Sequence, residues 1–580
     1  MGNARGGRFT RLWRISAIVL MVAGIMAPLA VVAQVQTALV GQPLPGANEP
    51  GRVEKRFQLP PTPKSVIEPV VPEGEEQVPP DQADAIRFTL SEVKLTGATV
   101  FAKADLAPLW AEFMGKEISL TQVYKVAEAI TAKYRNAGYI LSRAIVPPQR
   151  IKTGIVEIKI VEGFVGEVLI EGDAKGRAKL FQRWGQRIKA SRPLNVAVLE
   201  RYSLLANDLP GAKVRVVLRP SKTVQGASDV VFIIEHKYFE GFASLDNRGT
   251  RTSGPFEYTL GASVNSALGL YEKVSLIWLN TTDPNELRYL SFQYDEVLTP
   301  EGLRLTVTAN HSEGEPGGTL QPLAVRTRNN TFGVGWTKPL IRRRHKNLSV
   351  STGLTWRDSI SEQLGTLSSD DRIRSVRIGG SFDYSDAWQG VNLVAMDLHK
   401  GLDILGATEF DSRTKSRNHG RADFTKVTAD LSRTQKLPQN FSLTAGITGQ
   451  YATTALLASE EFGFGGSQFG RAYDSSEITG DSGIAAKLEL QYTGQLEDMG
   501  MKYYQPFVFY DLGLTHDRDP INQAATRTGA SMGLGARFGV TDYTNGSLEF
   551  DLPLTRPVAS EQASGKGKNT RMFFSLTARY

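Results

Sequence analysis

From Tyr238 to Tyr580 the chain is written in segments of about 9–11 residues whose apolar side chains recur at every second position, with no helical period among them. Such alternation puts successive side chains on opposite faces of a strand, and that length is what a tilted strand needs to cross a bilayer. Sixteen segments are read, beginning near Tyr238, Phe256, Tyr271, Glu286, Gly302, Arg328, Lys346, Ile373, Val391, Ala422, Asn440, Gly483, Tyr503, Arg527, Thr544 and Arg571. An even number returns both ends of a barrel to one side. Connections after even-numbered segments are mostly short, such as Ala267–Gly269 and Ala387–Gly390, whereas Ser312–Arg326 and Gly401–Gly420 follow odd-numbered ones. Short turns on one side and long loops on the other is the asymmetry of bacterial membrane barrels. The expected fold of residues 238–580 is a 16-stranded antiparallel transmembrane β-barrel.

A mean hydropathy of −0.22 fits such a wall, because alternating strands average out. The one long apolar run, Ile15–Ala33, follows Arg5, Arg8, Arg11 and Arg14, and residues 1–33 are read as a secretory signal cleaved after Ala33. An uncleaved inner-membrane anchor is the alternative. Without those four arginines the net charge falls from +7 to +3, too weak to indicate nucleic acid. There is no cysteine, which excludes a disulfide framework, thiol catalysis and a zinc-thiolate site. The six histidines, among them His236, His311, His345 and His399, show no paired ligand spacing, and neither a G-x-x-x-x-G-K-[ST] loop nor a G-x-S-x-G elbow occurs. No catalytic residue, metal or cofactor is expected. What is left is transport.

Residues 34–85 are rich in proline, with Pro60-Pro61-Thr62-Pro63 and the acidic patch Glu73–Glu76, and read as an extended linker. Only Arg52–Gln58 within it suits a helix. From Ile86 the order becomes strand, helix, helix, strand, strand. Ser119-Leu120-Thr121-Gln122 is a capping box, Leu120, Val123, Ala127, Ile130 and Tyr134 follow at helical spacing, and Gly138 stops the helix. The same order repeats from Val165, with helices around Arg177–Ile188 and through Leu199, Tyr202 and Leu205. Each repeat reads as a small α/β domain, over 86–163 and 164–237. A short sheet with an unpaired edge can accept an extended peptide, and Val214, Arg215, Val216, Val217 and Leu218 are nominated as that edge.

Within the barrel region, residues 461–483 form a long loop, EFGFGGSQFGRAYDSSEITGDSG, in which Arg471 is the one isolated cation. About 40 residues on, Phe509-Tyr510-Asp511-Leu512-Gly513 places a carboxylate in an otherwise apolar, aromatic strand, where it needs water or a partner. Arg471 is the expected partner, because a planar guanidinium grips a carboxylate through two parallel hydrogen bonds.

On these two stretches the chain resembles the haemolysin-activator (TpsB) transporters of two-partner secretion, of the ShlB/FhaC/HecB type. In that family a V-R-G-F/Y loop tip meets the aspartate of an F-x-D-x-G strand. The strand motif is complete here, from Phe509 to Gly513, whereas the tip reads Gly470-Arg471-Ala472-Tyr473, with Gly for Val and Ala for Gly. Leu204–Gly211 resembles the helix-ending signature of the family's second POTRA domain, and Asp246–Gly254 its first barrel hairpin. Met572, Phe574, Leu576, Ala578 and Tyr580 share one face of the last strand, where Phe574 and Tyr580 resemble the assembly signal of outer-membrane barrels. The resemblance implies two periplasmic POTRA domains before an outer-membrane barrel, a short plug helix at Arg52–Gln58 where the family often has a full-length one seated in the barrel, a loop gated in the lumen by Arg471 and Asp511, and assembly by the barrel assembly machinery. The implied partner is an unfolded TpsA-type exoprotein, a haemolysin or adhesin, exported without nucleotide hydrolysis. A barrel-assembly factor of the same superfamily and a diffusion porin are the competing readings.

Overall fold

Each wall strand sends one row of side chains to lipid and the other inward. Along Met501–His516, Val508, Tyr510, Leu512 and Leu514 are exposed outside, while Phe507, Phe509, Asp511 and Thr515 are buried inside. The computed structural model of the chain describes residues 44–57, 61–66, 83–151, 153–174, 178–224, 226–496, 501–520 and 523–580. The expected signal at 1–33 and the acidic patch Glu73–Glu76 lie outside them. Strands from Phe239–Asp246 to Arg571–Arg579 close into one antiparallel barrel. Ser482–Tyr492 and Gly494–Leu496 are two parts of a single wall strand, so the wall has the sixteen strands expected. First and last strands pair from Ser575↔Asp246 to Arg579↔Phe242, and Tyr580 and Gly241 exchange backbone hydrogen bonds.

Three neighbouring strands, Arg326–Arg342, Lys346–Gln363 and Thr366–Ser385, run to 17, 18 and 20 residues, far beyond a bilayer's need. The third begins at Thr366 rather than near Ile373. Thr366–Asp371 rises beyond the lipid, so it carries no lipid-imposed alternation to read; its pairing with the preceding strand and bonds from the Gly401–Gly420 loop, such as the Asp370 N–H to the Thr414 carbonyl at 2.6 Å, hold it extended.

The Pro-rich segment departs from an extended linker. Residues 44–57 lie inside the barrel, where Leu44 packs on Leu320, Leu323 and Val325 from a long loop, and Asn48 donates to Ser253. A five-residue helix follows, α1 (Val53–Phe57), whose Phe57 stacks on Tyr289 of the wall. At the POTRA end the Ser65 N–H donates to Asp383 and that of Val66 to the Arg344 carbonyl. The chain thus threads the lumen from the loop side to the POTRA side.

In the first POTRA domain Glu92–Thr96, Ile155–Val161 and Arg143–Ile145 form a sheet beneath α2 (Leu120–Asn136), which buries Val123, Ile130 and Tyr134. The Gln122 side chain accepts from the Ser119 N–H at 2.8 Å, and Gly138, at φ +90°, turns the chain after the helix. The expected first helix shrinks to Lys103–Leu106 and two 3-10 turns, because Pro108 cannot donate to a longer ladder. In the second domain α3 (Ala178–Ala190) and α4 (Val196–Asn207) cover a sheet ordered Phe164–Gly172, Ala227–His236, Ala212–Pro220.

That second domain is docked on the barrel. Tyr271, from a short wall turn, joins its apolar core, and the Trp184 indole donates to the Pro300 carbonyl at 2.6 Å. Arg342, at the foot of a wall strand, holds Asp208 through two bonds of 2.8 and 2.9 Å. Burial alone would raise the Asp208 carboxyl, but the Arg342 hydrogen bonds and the charge of Lys64 outweigh it and hold it below the usual carboxylate range.

Candidate functional site

The loop that carries Arg471 turns inward. Phe462–Phe464 and Ile478–Gly480 pair as a small hairpin against the inner wall, and the tip beyond it reaches the Met501–His516 strand. Arg471 is 4% and Asp511 0% exposed. Nε and Nη2 of Arg471 donate to the two Asp511 carboxylate oxygens, both at 3.1 Å, and the backbone N–H groups of Gly470 and Arg471 add two bonds of 3.0 Å to the same carboxylate. Asp511 therefore anchors the backbone of the tip as well as its cation. The remaining Arg471 nitrogen, Nη1, donates to Glu489, which also accepts from both terminal nitrogens of Arg537. Arg471 lies 3.5 Å above the Phe509 ring and Arg537 4.0 Å above that of Phe507. The aromatic and acidic positions of this strand thus work together, rings below and carboxylate beside the cations.

The glycine of the strand motif has its own reason. A Cβ on Gly513 would meet the Phe464 ring at 2.1 Å, one on Gly529 at 2.4 Å and one on Gly470 at 2.7 Å. One aromatic side chain from the inward hairpin fills a socket made by three glycines. Gly470 also stands at φ +74°, in the left-handed region that a β-branched residue avoids, so glycine at this tip position fits its conformation. Ala472 has no positive φ and is fully buried. The Tyr473 hydroxyl donates to the Ala530 carbonyl at 3.0 Å. Gly513→Val is expected to push Phe464 from its socket at a cost of about 1–3 kcal/mol. External protease should then cut within residues 461–483 in intact cells, where the parent chain resists; equal resistance would rule out the socket.

Sequence reasoning missed the residues that hold this loop from other sides. Arg248, in the Asp246–Gly254 hairpin, donates to the Arg471 carbonyl at 2.9 Å and to Glu549. Arg571 donates to the Ala472 carbonyl at 2.9 Å and to Asp474 at 2.8 Å. Arg417, from the Gly401–Gly420 loop, grips Asp481 at 2.6 and 3.2 Å and also Asp517. From the threaded segment, Arg52 donates to Glu461 at 3.0 Å and to the Ala458 carbonyl at 2.9 Å. Glu54 meets Arg357, which also meets Glu460, and Lys426 closes on Glu460 at 2.7 Å. Arg56 holds Glu257 through bonds of 2.7 and 2.6 Å. For the threaded segment the available signal was the mixed-charge run Arg52, Glu54, Lys55 and Arg56, inside the one stretch of the Pro-rich region that suits a helix.

The nominated POTRA strand is the edge of its sheet, since Ala212–Pro220 pairs with Ala227–His236 alone. Its first nominated position is already taken. The Val214 N–H donates to the Asn207 side chain at 2.9 Å, and the Val214 carbonyl accepts from it at 2.6 Å. Alternation leaves the backbones of Val216 and Leu218 facing the open edge, whereas Arg215 and Val217 bond within the sheet. On the last strand Met572, Leu576 and Tyr580 are exposed on the outer face, and the Phe574 ring lies 6.3 Å from that of Phe256.

Residues 226–536 match the family model described as haemolysin secretion/activation protein ShlB/FhaC/HecB, and residues 88–163 match the ShlB-type POTRA domain. The heme/hemopexin transporter protein HuxB of Haemophilus influenzae (strain 86-028NP) is 24% identical over 480 residues, 82% of this chain and 84% of that protein. The hemolysin transporter protein HpmB of Proteus mirabilis is 24% identical over 492 residues, 82% and 83% of the two chains. Among solved structures, CdiB from Escherichia coli superposes with a TM-score of 0.69 at 19% identity, covering 91% of this chain and 96% of that one. A family match across more than half of the chain, on a barrel with an inward loop and POTRA domains before it, places this protein in the haemolysin secretion/activation family ShlB/FhaC/HecB.

Proposed function

We propose that this chain is the outer-membrane transporter of a two-partner secretion pair, passing one large exoprotein of the TpsA type from the periplasm to the cell surface. The observation that carries the reading is a closed barrel whose lumen is filled by two of its own segments, the Arg471 loop and residues 44–57, both held by polar contacts that can exchange with water. A barrel packed with apolar side chains could not open. A lumen closed by ion pairs can, because a buried pair adds little net stability once desolvation is counted and serves chiefly to fix position. The relatives are named as a heme/hemopexin transporter and a hemolysin transporter, which supports cargo of the haemolysin kind. The partner arrives unfolded, adds to the Val216–Leu218 edge as an extra strand, and displaces the inward loop from the Asp511 carboxylate. No nucleotide site was found in the sequence, so directionality comes from folding of the cargo outside. Phe574 and Tyr580 address the chain to the barrel assembly machinery during its own insertion.

Deleting this chain should remove one large exoprotein of the TpsA type from the culture supernatant, by about a hundredfold or more, while bulk porin levels stay unchanged. Porin loss with secretion intact would instead assign a barrel-assembly factor. Steady unblocked conductance of the purified chain in a planar bilayer would assign a diffusion porin.

A further inference from the structure

Outside the lumen, α3 carries an exposed face of one charge sign. Between Ala174 and Leu199 the sequence holds seven Lys or Arg and no Asp or Glu, as many positive charges as the net +7 of the whole chain. α3 buries Leu180, Phe181, Trp184 and Ile188 and leaves Lys179, Arg183, Arg187 and Lys189 exposed. Lys179, Arg183 and Lys189 have no hydrogen-bond or ion-pair partner among the described residues. Arg187 meets only Glu301, at 3.3 Å and with both side chains well exposed, a pair of little worth in water. Glu167 is the one acid of this domain that borders the same cleft. A solvated helix face usually carries both signs, so this one is matched to an anionic surface.

Its place in the fold says which surface. The Trp184 indole is bonded to the Pro300 carbonyl, and the cationic side chains share their cleft with Pro300. Pro300 sits in the short turn between the wall strands Arg288–Val297 and Arg304–Gly314. Leu298, in that turn, is exposed, below a strand whose Leu290 and Phe292 are exposed on the lipid side. The basic face therefore adjoins the foot of the lipid-facing wall, at the level where phosphate headgroups of the adjacent leaflet lie.

We propose that α3 docks on the phosphate groups of anionic phospholipid in the leaflet beneath the barrel, and that this contact sets the angle of the second POTRA domain against the membrane. The contact does not depend on which exoprotein is carried. Acidic stretches of an exported chain would match the charge as well, but the face adjoins the lipid row of the wall rather than a sheet edge that a strand could extend. Attraction to an anionic surface is worth about fivefold in docked population per Lys or Arg and is screened by salt.

The absence of cysteine makes the test direct. Gln186→Cys, carrying one environment-sensitive fluorophore, is placed in the full chain in nanodiscs of phosphatidylcholine, with or without phosphatidylglycerol, each containing a headgroup quencher. Quenching should be strong with phosphatidylglycerol, weak without it, and lost at about 0.5 M salt. Adding Lys179→Gln, Arg183→Gln and Lys189→Gln should reduce the docked population by about a hundredfold. Equal quenching in both lipids would overturn the proposal, and the lipid comparison needs no substitution beyond the label. Quenching absent in both lipids, with a fluorescence change on adding polyglutamate, would assign the face to the exported chain instead.

Discussion

Replacing Asp511 by arginine should abolish secretion while leaving the barrel inserted. Asp511 accepts four hydrogen bonds from the loop tip, two from the Arg471 side chain and two from the backbone N–H groups of Gly470 and Arg471. Reversing its charge removes the two oxygens that accept all four bonds and sets two guanidinium groups against each other in a site that is fully buried at residue 511. Breaking a buried pair from one side costs about 3–5 kcal/mol, enough to lower the seated population of the loop by a hundredfold or more. The barrel should still insert, because its wall is held by strand pairing and lipid contact that Asp511 does not supply. Exported protein in the supernatant and heat-modifiable gel mobility separate the two effects. Arg471→Lys should fall between the parent and Asp511→Arg, keeping the charge but losing the paired bonds and the broad stack on Phe509. Normal export from Asp511→Arg would remove the pair from the mechanism.

The second large effect is expected at Arg357, on the wall strand Lys346–Gln363. Its guanidinium lies between Glu54 of α1 and Glu460 at the base of the inward loop. Among the described residues, truncation to alanine leaves Glu54 buried without an ion-pair partner and Glu460 paired with Lys426 alone. The uncompensated carboxylate is again a cost of about 3–5 kcal/mol, now on the threaded segment, set against the apolar contacts of Leu44, Val53 and Phe57. Residues 44–57 should leave the lumen. Single-channel conductance should rise severalfold toward that of a chain lacking residues 44–57, and cells should become sensitive to a glycopeptide antibiotic too large for porins. Arg357→Lys should retain most of the closure. Conductance unchanged in Arg357→Ala would show that the segment is held by something other than this pair.

Arg471 and Asp511 were legible as partners because each is out of place locally. A lone cation among glycines and a lone carboxylate among aromatics both need an explanation that their neighbours do not supply. Gly513 was legible as part of a motif but not as a socket, since Phe464 lies almost 50 residues away in sequence. Glu489, Arg248, Arg571 and Arg417 gave no such signal. In an amphipathic wall a charged side chain at an inward position is ordinary, and only the path of the loop decides which of them it touches. The threaded segment was legible only in part: Arg52–Gln58 stood out as a possible short plug helix, but its contacts did not. Proline and scattered charge read as an extended linker, and the partners of Arg52, Glu54 and Arg56 lie in barrel residues 201 to 409 positions away.

Period-two alternation over Tyr238–Tyr580 determined the barrel and its sixteen strands, because lipid on one face and water on the other impose that pattern wherever the wall lies in the membrane. Helix spacing, the Gln122 cap and Gly138 determined the long helix of the first POTRA domain in the same local way. Only the tertiary structure decided which residues hold the two segments in the lumen, how far three strands rise above the lipid, and how the second POTRA domain is bolted to the rim. Those outcomes rest on ion pairs and glycine sockets between segments far apart in the chain, whose energies depend on geometry and desolvation rather than on any pattern a single segment can carry.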